Sequence, residues 1–141
     1  MDSSQTEFLR LMEKSGLPYS EAAFVTKNSG IAFSSFRNEV ARMIPMVGRK
    51  EAKLAATETM LLSNLGEDNE KNFLLIKAYV SVFAYSLAKD ANLEIMHSNL
   101  SREDKAQNIL SDKTSMEKIK AQFIESRARG MKKGIWSSMF G

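Results

Sequence analysis

Cysteine is absent from this 141-residue chain. Disulfides, thiolate nucleophiles, thiolate-bound zinc and iron–sulfur clusters are therefore excluded by composition. Histidine occurs once, at His97. A lone imidazole needs an orienting carboxylate and a nucleophile delivered by the fold before it can act as a general base. Neighbouring Glu94 and Ser98 do not establish that, and a surface or interface histidine is the expected role. Carboxylate-bridged metal bundles use two Glu-x-x-His helical pairs. Glu94-Ile95-Met96-His97 supplies the spacing once, and a single histidine forbids a second copy. No metal and no cofactor is expected.

Glycine and proline are also scarce, at seven and two residues. The glycines are scattered singly, so neither a Walker loop nor a dinucleotide fingerprint is present. The acidic run Glu67-Asp68-Asn69-Glu70 is contiguous where a calcium loop needs alternating ligands. Long hydrophobic runs are missing too. Phe73 to Ala88 is the most apolar stretch, but it contains Lys77 and is too short to cross a bilayer. Met1-Asp2-Ser3-Ser4-Gln5 has no basic region leading into an apolar run, so no secretory signal is expected. Together these absences favour a soluble, intracellular protein, in a cytoplasm, a host cell or a virus particle, that is not an enzyme.

What is present is ordinary for a folded domain: 43% hydrophobic and 26% charged residues. A chain of 15.8 kDa buries roughly two-thirds of the surface it exposes when unfolded, enough for one core. Apolar residues recur every three or four positions, and strict alternation never persists, which predicts an all-α fold. The first helix is expected from Ser4, where Ser4-Gln5-Thr6-Glu7 has capping-box spacing, to Gly16, with Phe8, Leu11 and Met12 on one face. A second should begin near Ser20-Glu21 and bury Ala22, Phe24 and Val25. A third, from Ser34 or Ser35, carries Phe36, Val40, Met43 and Ile44 and should end or kink at Pro45.

The fourth is expected from about Arg49 to Asn64, with Leu54, Leu61 and Leu65 inward and Gly66 as its stop. In the fifth, Phe73, Leu75, Ile76, Tyr79, Val80, Val82, Phe83 and Leu87 leave only Lys77 and Ser81 for water. A helix apolar almost all round belongs inside a bundle. Ser101 should cap a short helix that docks Ile109 and Leu110. A last helix from Thr114-Ser115-Met116-Glu117 aligns Met116, Ile119 and Phe123, weakened near its end by Gly130 and Gly134 at about 1 kcal/mol each. The expected architecture is a single bundle of six to seven helices around a central apolar helix at about 70–90. It occupies residues 1–130, followed by a basic and aromatic tail over 131–141.

Charge is unevenly spread. Lys113 to Gly141 holds seven basic residues and two acids, a net of +5, whereas the whole chain is +3 and residues 1–112 sum to −2. Lysine and arginine near a helix C-terminus can simply complement its dipole. The cations here run into Ile135, Trp136, Met139 and Phe140, which share one face if helical and are costly to expose. That face either folds back on the domain or anchors a partner groove, a second copy or a membrane surface. Basic residues beside aromatic rings also suit single-stranded nucleic acid.

Within residues 19–44, Gly30-Ile31-Ala32-Phe33-Ser34-Ser35-Phe36-Arg37-Asn38-Glu39-Val40 resembles the turn and recognition helix of helix-turn-helix DNA-binding domains. The resemblance implies a tight turn at Gly30 and a second helix that turns Ser34, Ser35, Arg37, Asn38 and Arg42 toward the major groove. Thr26 and Ser29 depart from the pattern, and a plain helical hairpin with capping serines is the alternative.

The leading expectation is a binding protein for nucleic acid. Phosphates would be held by Arg37, Asn38, Arg42, Arg49 and Lys50, with Lys53 beside them, and by Lys120, Arg127, Arg129, Lys132 and Lys133. The alternative is an adaptor, inhibitor or assembly subunit that docks through Ile135, Trp136, Met139 and Phe140, with peripheral membrane association as a further variant. A homo-oligomer is compatible with each, and nine methionines suit an adaptable apolar interface.

Overall fold

The most apolar helix of the chain is the one against which nearly every other element packs. The computed structural model describes residues 2–67, 69–90 and 100–130, and these form seven α-helices and one 3-10 turn, with no strand among them. The helices are α1 (Ser3–Lys14), α2 (Tyr19–Asn28), α3 (Phe33–Val47), α4 (Arg49–Ser63), α5 (Asn69–Leu87), α6 (Arg102–Ser111) and α7 (Lys113–Gly130). Helix α5 continues into the 3-10 turn Ala88–Asp90 and contacts α1, α2, α4, α6 and α7. Leu75, Ala78, Tyr79, Val82, Ala84 and Tyr85 are buried around its circumference, so the all-α bundle around a central helix is the observed fold. None of these helices is long and apolar enough to cross a membrane.

Two aromatic clusters fix the outer helices. Phe8 of α1 meets Phe33 and Phe36 of α3 edge to face, with ring centroids 5.5 and 5.7 Å apart. Tyr79 of α5 packs on Phe123 of α7 at 5.6 Å. Such contacts add about 0.5–1.5 kcal/mol to the area they bury. Long-range ion pairs lie above the core: Lys77 with Glu21, and Lys53 with Glu7.

Several local expectations give way to tertiary context. The cap of α1 is Asp2: its side chain accepts from the Gln5 amide while the Gln5 side chain accepts from the Asp2 amide. Ser4 is buried instead and accepts from Arg37. Helix α3 does not stop at Pro45 but runs to Val47. A proline this close to the end deletes one ladder bond, and the orphaned carbonyl, on Ala41, belongs to an exposed residue that water can reach. Phe24 and Phe73 are exposed, whereas Ser81, expected to face water, is buried. A hydroxyl satisfies itself within a helix more easily than a large ring finds room beneath one.

Helix α2 lies on α1 and α5, and α3 lies along α4, its main partner. Gly30 does make the tight left-handed turn, at φ +69°. It joins two helices whose main partners differ.

Candidate functional site

Gly48, at φ +83°, closes α3 and opens α4 without a side-chain cap. The amides of Arg49, Lys50 and Glu51 therefore have no acceptor among the described residues. Two of these three residues are cations, exposed on the first turn, while Ala52 and Leu54 of the same helix are buried. Contact between α1 and α4, secured by Lys53 Nζ donating to Glu7 at 3.3 Å, brings Lys14 to the same place. The result is an open pocket of about 470 Å³ lined by Leu11, Lys14, Arg49, Lys50, Lys53, Leu54 and Tyr85.

Beneath the cavity is a tightly bonded charge cluster. Arg102, from the start of α6, donates to both carboxylate oxygens of Glu51, at 2.7 and 3.1 Å. It also donates to the Tyr85 carbonyl at 2.7 Å, and its guanidinium sits 4.3 Å from the centre of the Tyr85 ring. The hydrogen bond from Arg102 holds the Glu51 carboxyl below its ordinary range, with help from the charges of Arg102, Lys89 and Lys50. Burial, and then the hydrogen bond to Glu103, pushes the Tyr85 phenol up to about 12, so it remains a donor to that carboxylate at 2.9 Å. Glu103 is held low by its own backbone amide and by Tyr85, and further by the charges of Lys14 and Lys50.

Cations of the region are Lys14, Arg49, Lys50, Lys53, Lys89 and Arg102, and its carboxylates include Glu7, Glu51 and Glu103. Arg102 uses Glu51, Lys53 uses Glu7, and Glu103 accepts from Tyr85. Lys14, Arg49 and Lys50 make no ion pair among the described residues. This arrangement can hold an anion by charge and by three free helix amides.

The other residues singled out from sequence are dispersed. Arg37 and Asn38 are exposed on the outer face of α3, but Arg37 donates to Ser4 at 3.2 Å. Arg42, on the same face, is engaged by Glu39, whose carboxyl its hydrogen bond holds low. Arg49 and Lys50 belong to the cavity. Lys120 is exposed on α7. Arg127 and Arg129 fall in the last turn of α7, and their side chains lie outside the described residues, as do Lys132, Lys133, Ile135, Trp136, Met139, Phe140 and His97. Lys14 was not legible as a site residue, because the α1–α4 contact that recruits it leaves no local signature. No known family, no curated protein and no solved structure matches this chain.

Proposed function

We propose that this protein acts by binding rather than by catalysis, and that its ligand is nucleic acid. The reading is carried by one observation: Lys14, Arg49 and Lys50 converge near the uncapped start of α4 with no direct ion pair among the described residues. Phosphates satisfy such a cluster through charge-assisted bonds and release of counterions. Lys53 stands beside them, and Arg37, Arg42 and Lys120 are separate cations on α3 and α7. A soluble, intracellular setting belongs to the same reading. Its test is fluorescence anisotropy with labelled single and double strands across a salt series. Affinity should fall by about 10³-fold or more between low and moderate salt if some six phosphates are engaged. Absence of binding to any DNA or RNA, or an affinity indifferent to salt, refutes it.

A second reading, a protein-interaction module, is favoured by large apolar side chains left outside the core. Phe73 of α5 is 67% exposed and Tyr19 of α2 is 58% exposed. On this reading the 131–141 segment is the anchor, and removal of residues 130–141 abolishes partner recovery while thermal unfolding hardly moves. Full recovery after truncation eliminates the tail as anchor.

A further inference from the structure

Phe73 is the most exposed large apolar side chain among the described residues, yet it belongs to the helix at the centre of the bundle. One turn away on the same face of α5 stand Glu70 before it and Ile76 and Lys77 after it. Lys77 is occupied: its Nζ donates to both carboxylate oxygens of Glu21 on α2, at 2.6 and 2.8 Å. That bridge ties α2 to α5, and Phe24, one turn beyond Glu21, is 38% exposed. Two rings and the half-buried Ile76 therefore flank one ion pair across the α2–α5 junction. Apolar surface gathered in this way marks a docking face.

The face is acidic at the Phe73 end. Glu67 and Glu70 are exposed and make no ion pair among the described residues. Carboxylates at the start of α5 suit its dipole, but the dipole does not explain the ring beside them. An occupant with cations next to apolar rings of its own answers both halves of the face. Residues 131–141 have that composition: Lys132 and Lys133 precede Ile135, Trp136, Met139 and Phe140, with no acid among them.

The chain also delivers this segment to α5. Phe123 of α7 packs on Tyr79 with ring centroids 5.6 Å apart. At 1.5 Å per residue, Tyr79 lies about 9 Å along α5 from Phe73, and Phe123 about 10 Å from the end of α7 at Gly130. The eleven residues that follow Gly130 span up to about 36 Å when extended. They reach Phe73 whichever way α7 runs along α5. The 91–99 stretch is the poorer occupant. It leaves from the far end of α5, where Leu87 is about 21 Å from Phe73, and it contains no lysine or arginine.

We propose that this face holds the 131–141 segment of the same chain. Trp136 and Phe140 lie against Phe73, Ile76 and Phe24, and Lys132 and Lys133 sit toward Glu67 and Glu70. A short tether gives the segment an effective concentration on the order of mM, which favours it over a second copy in dilute solution. A docked segment does not anchor another protein, so the docking competes with the interaction-module reading. It uses none of the α4 cations, and so stands or falls apart from the nucleic-acid reading.

Trp136 is the sole tryptophan, and its fluorescence reports on the segment alone. In the intact chain, acrylamide should quench it several-fold less than N-acetyltryptophanamide, equally at low and high protein concentration. Phe73→Asp should expose it, and so should E67K/E70K, each lowering the ratio of docked to free segment by about tenfold or more. Adding K132E/K133E to E67K/E70K should restore the protection, because the facing charges are again opposite. Met46→Asp, at a comparably exposed position on α3, is the control and should leave Trp136 protected. Far-UV circular dichroism checks that each variant is folded, and the charge-reversal set carries the test if Phe73→Asp unfolds. Free quenching of Trp136 in the intact chain overturns the docking and leaves the segment available to a partner. Protection that survives the charge reversal and a folded Phe73→Asp overturns the choice of face. Protection that grows with concentration, alongside a dimer in sedimentation, overturns the intrachain assignment in favour of a second copy.

Discussion

Lys50 and Glu51 are neighbours in the chain and belong to opposite electrostatic regimes. Glu51 points into a junction where Arg102 grips it on both oxygens and in turn holds the last carbonyls of α5. Lys50 lines the cavity mouth with no partner among the described residues. The inward group is shielded, over-bonded and structural. The outward group is solvated, under-bonded and available. What distinguishes them is the number of direct hydrogen-bond and ion-pair partners each makes among the described residues.

The largest expected effect breaks the inward side. Arg102→Ala removes the bidentate bond to Glu51, the stacking on Tyr85 and the cap on the Tyr85 and Ser86 carbonyls. The side chains of the pair are 13% and 17% exposed, so a loss of about 3 kcal/mol is expected, the low end for a broken buried pair. Urea unfolding measures it. A loss under about 0.5 kcal/mol would mean the junction is no more structural than a surface pair.

Next is the joint that brings α1 toward this region. Gly16 has φ +106°, and a Cβ there would run into the Gln107 side-chain amide. Gly16→Ala should destabilise by about 2 kcal/mol, through backbone strain together with displacement of Gln107. Gly16→Ala combined with Gln107→Ala isolates the backbone share. Full recovery in the double variant would show that the collision, not the dihedral angle, is the cause.

A third test uses pH. Burial pushes the Glu58 carboxyl up to about 7, against an ordinary 4.5, opposed by the hydrogen bond from Ser86 and assisted by the charge of Glu51. Well below pH 4.5 the group is neutral in the folded and unfolded chains and costs nothing. As pH rises from about 4.5 to about 7 the unfolded chain ionises first, so stability falls, and above about 7 the penalty is complete. Glu58→Gln keeps an acceptor for Ser86 and abolishes the titration. Its stability should be nearly flat across that window and should exceed the parent at pH 8 by on the order of 1–2 kcal/mol, the group retaining some solvent. Parallel pH profiles for parent and variant would refute the assignment.

How far these regions were legible in the sequence follows from the range of the forces involved. Periodicity is local, and it marked the helices, the central position of α5 and the Ser101 cap of α6, whose side chain does accept from Asp104. Caps were misplaced where two candidates stood close together: Asp2 displaced Ser4, and Asp112, which accepts from both Ser115 groups, displaced Thr114. The pairs Arg102–Glu51, Lys77–Glu21 and Lys53–Glu7 span about fifty residues each, and no pattern in the chain couples their members. For the same reason Arg49 and Lys50 were recognised as candidates, but Lys14 was not, nor the hollow they share.

The smallest effect on stability should come from the outward side, and it is the most telling. R49A/K50A removes two exposed cations without ion-pair partners, so its unfolding free energy should stay within about 0.5 kcal/mol of the parent. A slight gain is the more physical expectation, because like charges at the start of α4 repel one another and oppose the helix dipole. The same variant should lower the slope of log affinity against log salt by about 1.4 on single strands and about 1.8 on duplex, two phosphate contacts' worth. If it instead unfolds as Arg102→Ala does, the mouth of the cavity is part of the scaffold and the contrast between Lys50 and Glu51 collapses. If stability holds and the slope is unmoved, the cations are free but idle, and the nucleic-acid contacts must lie elsewhere on the chain.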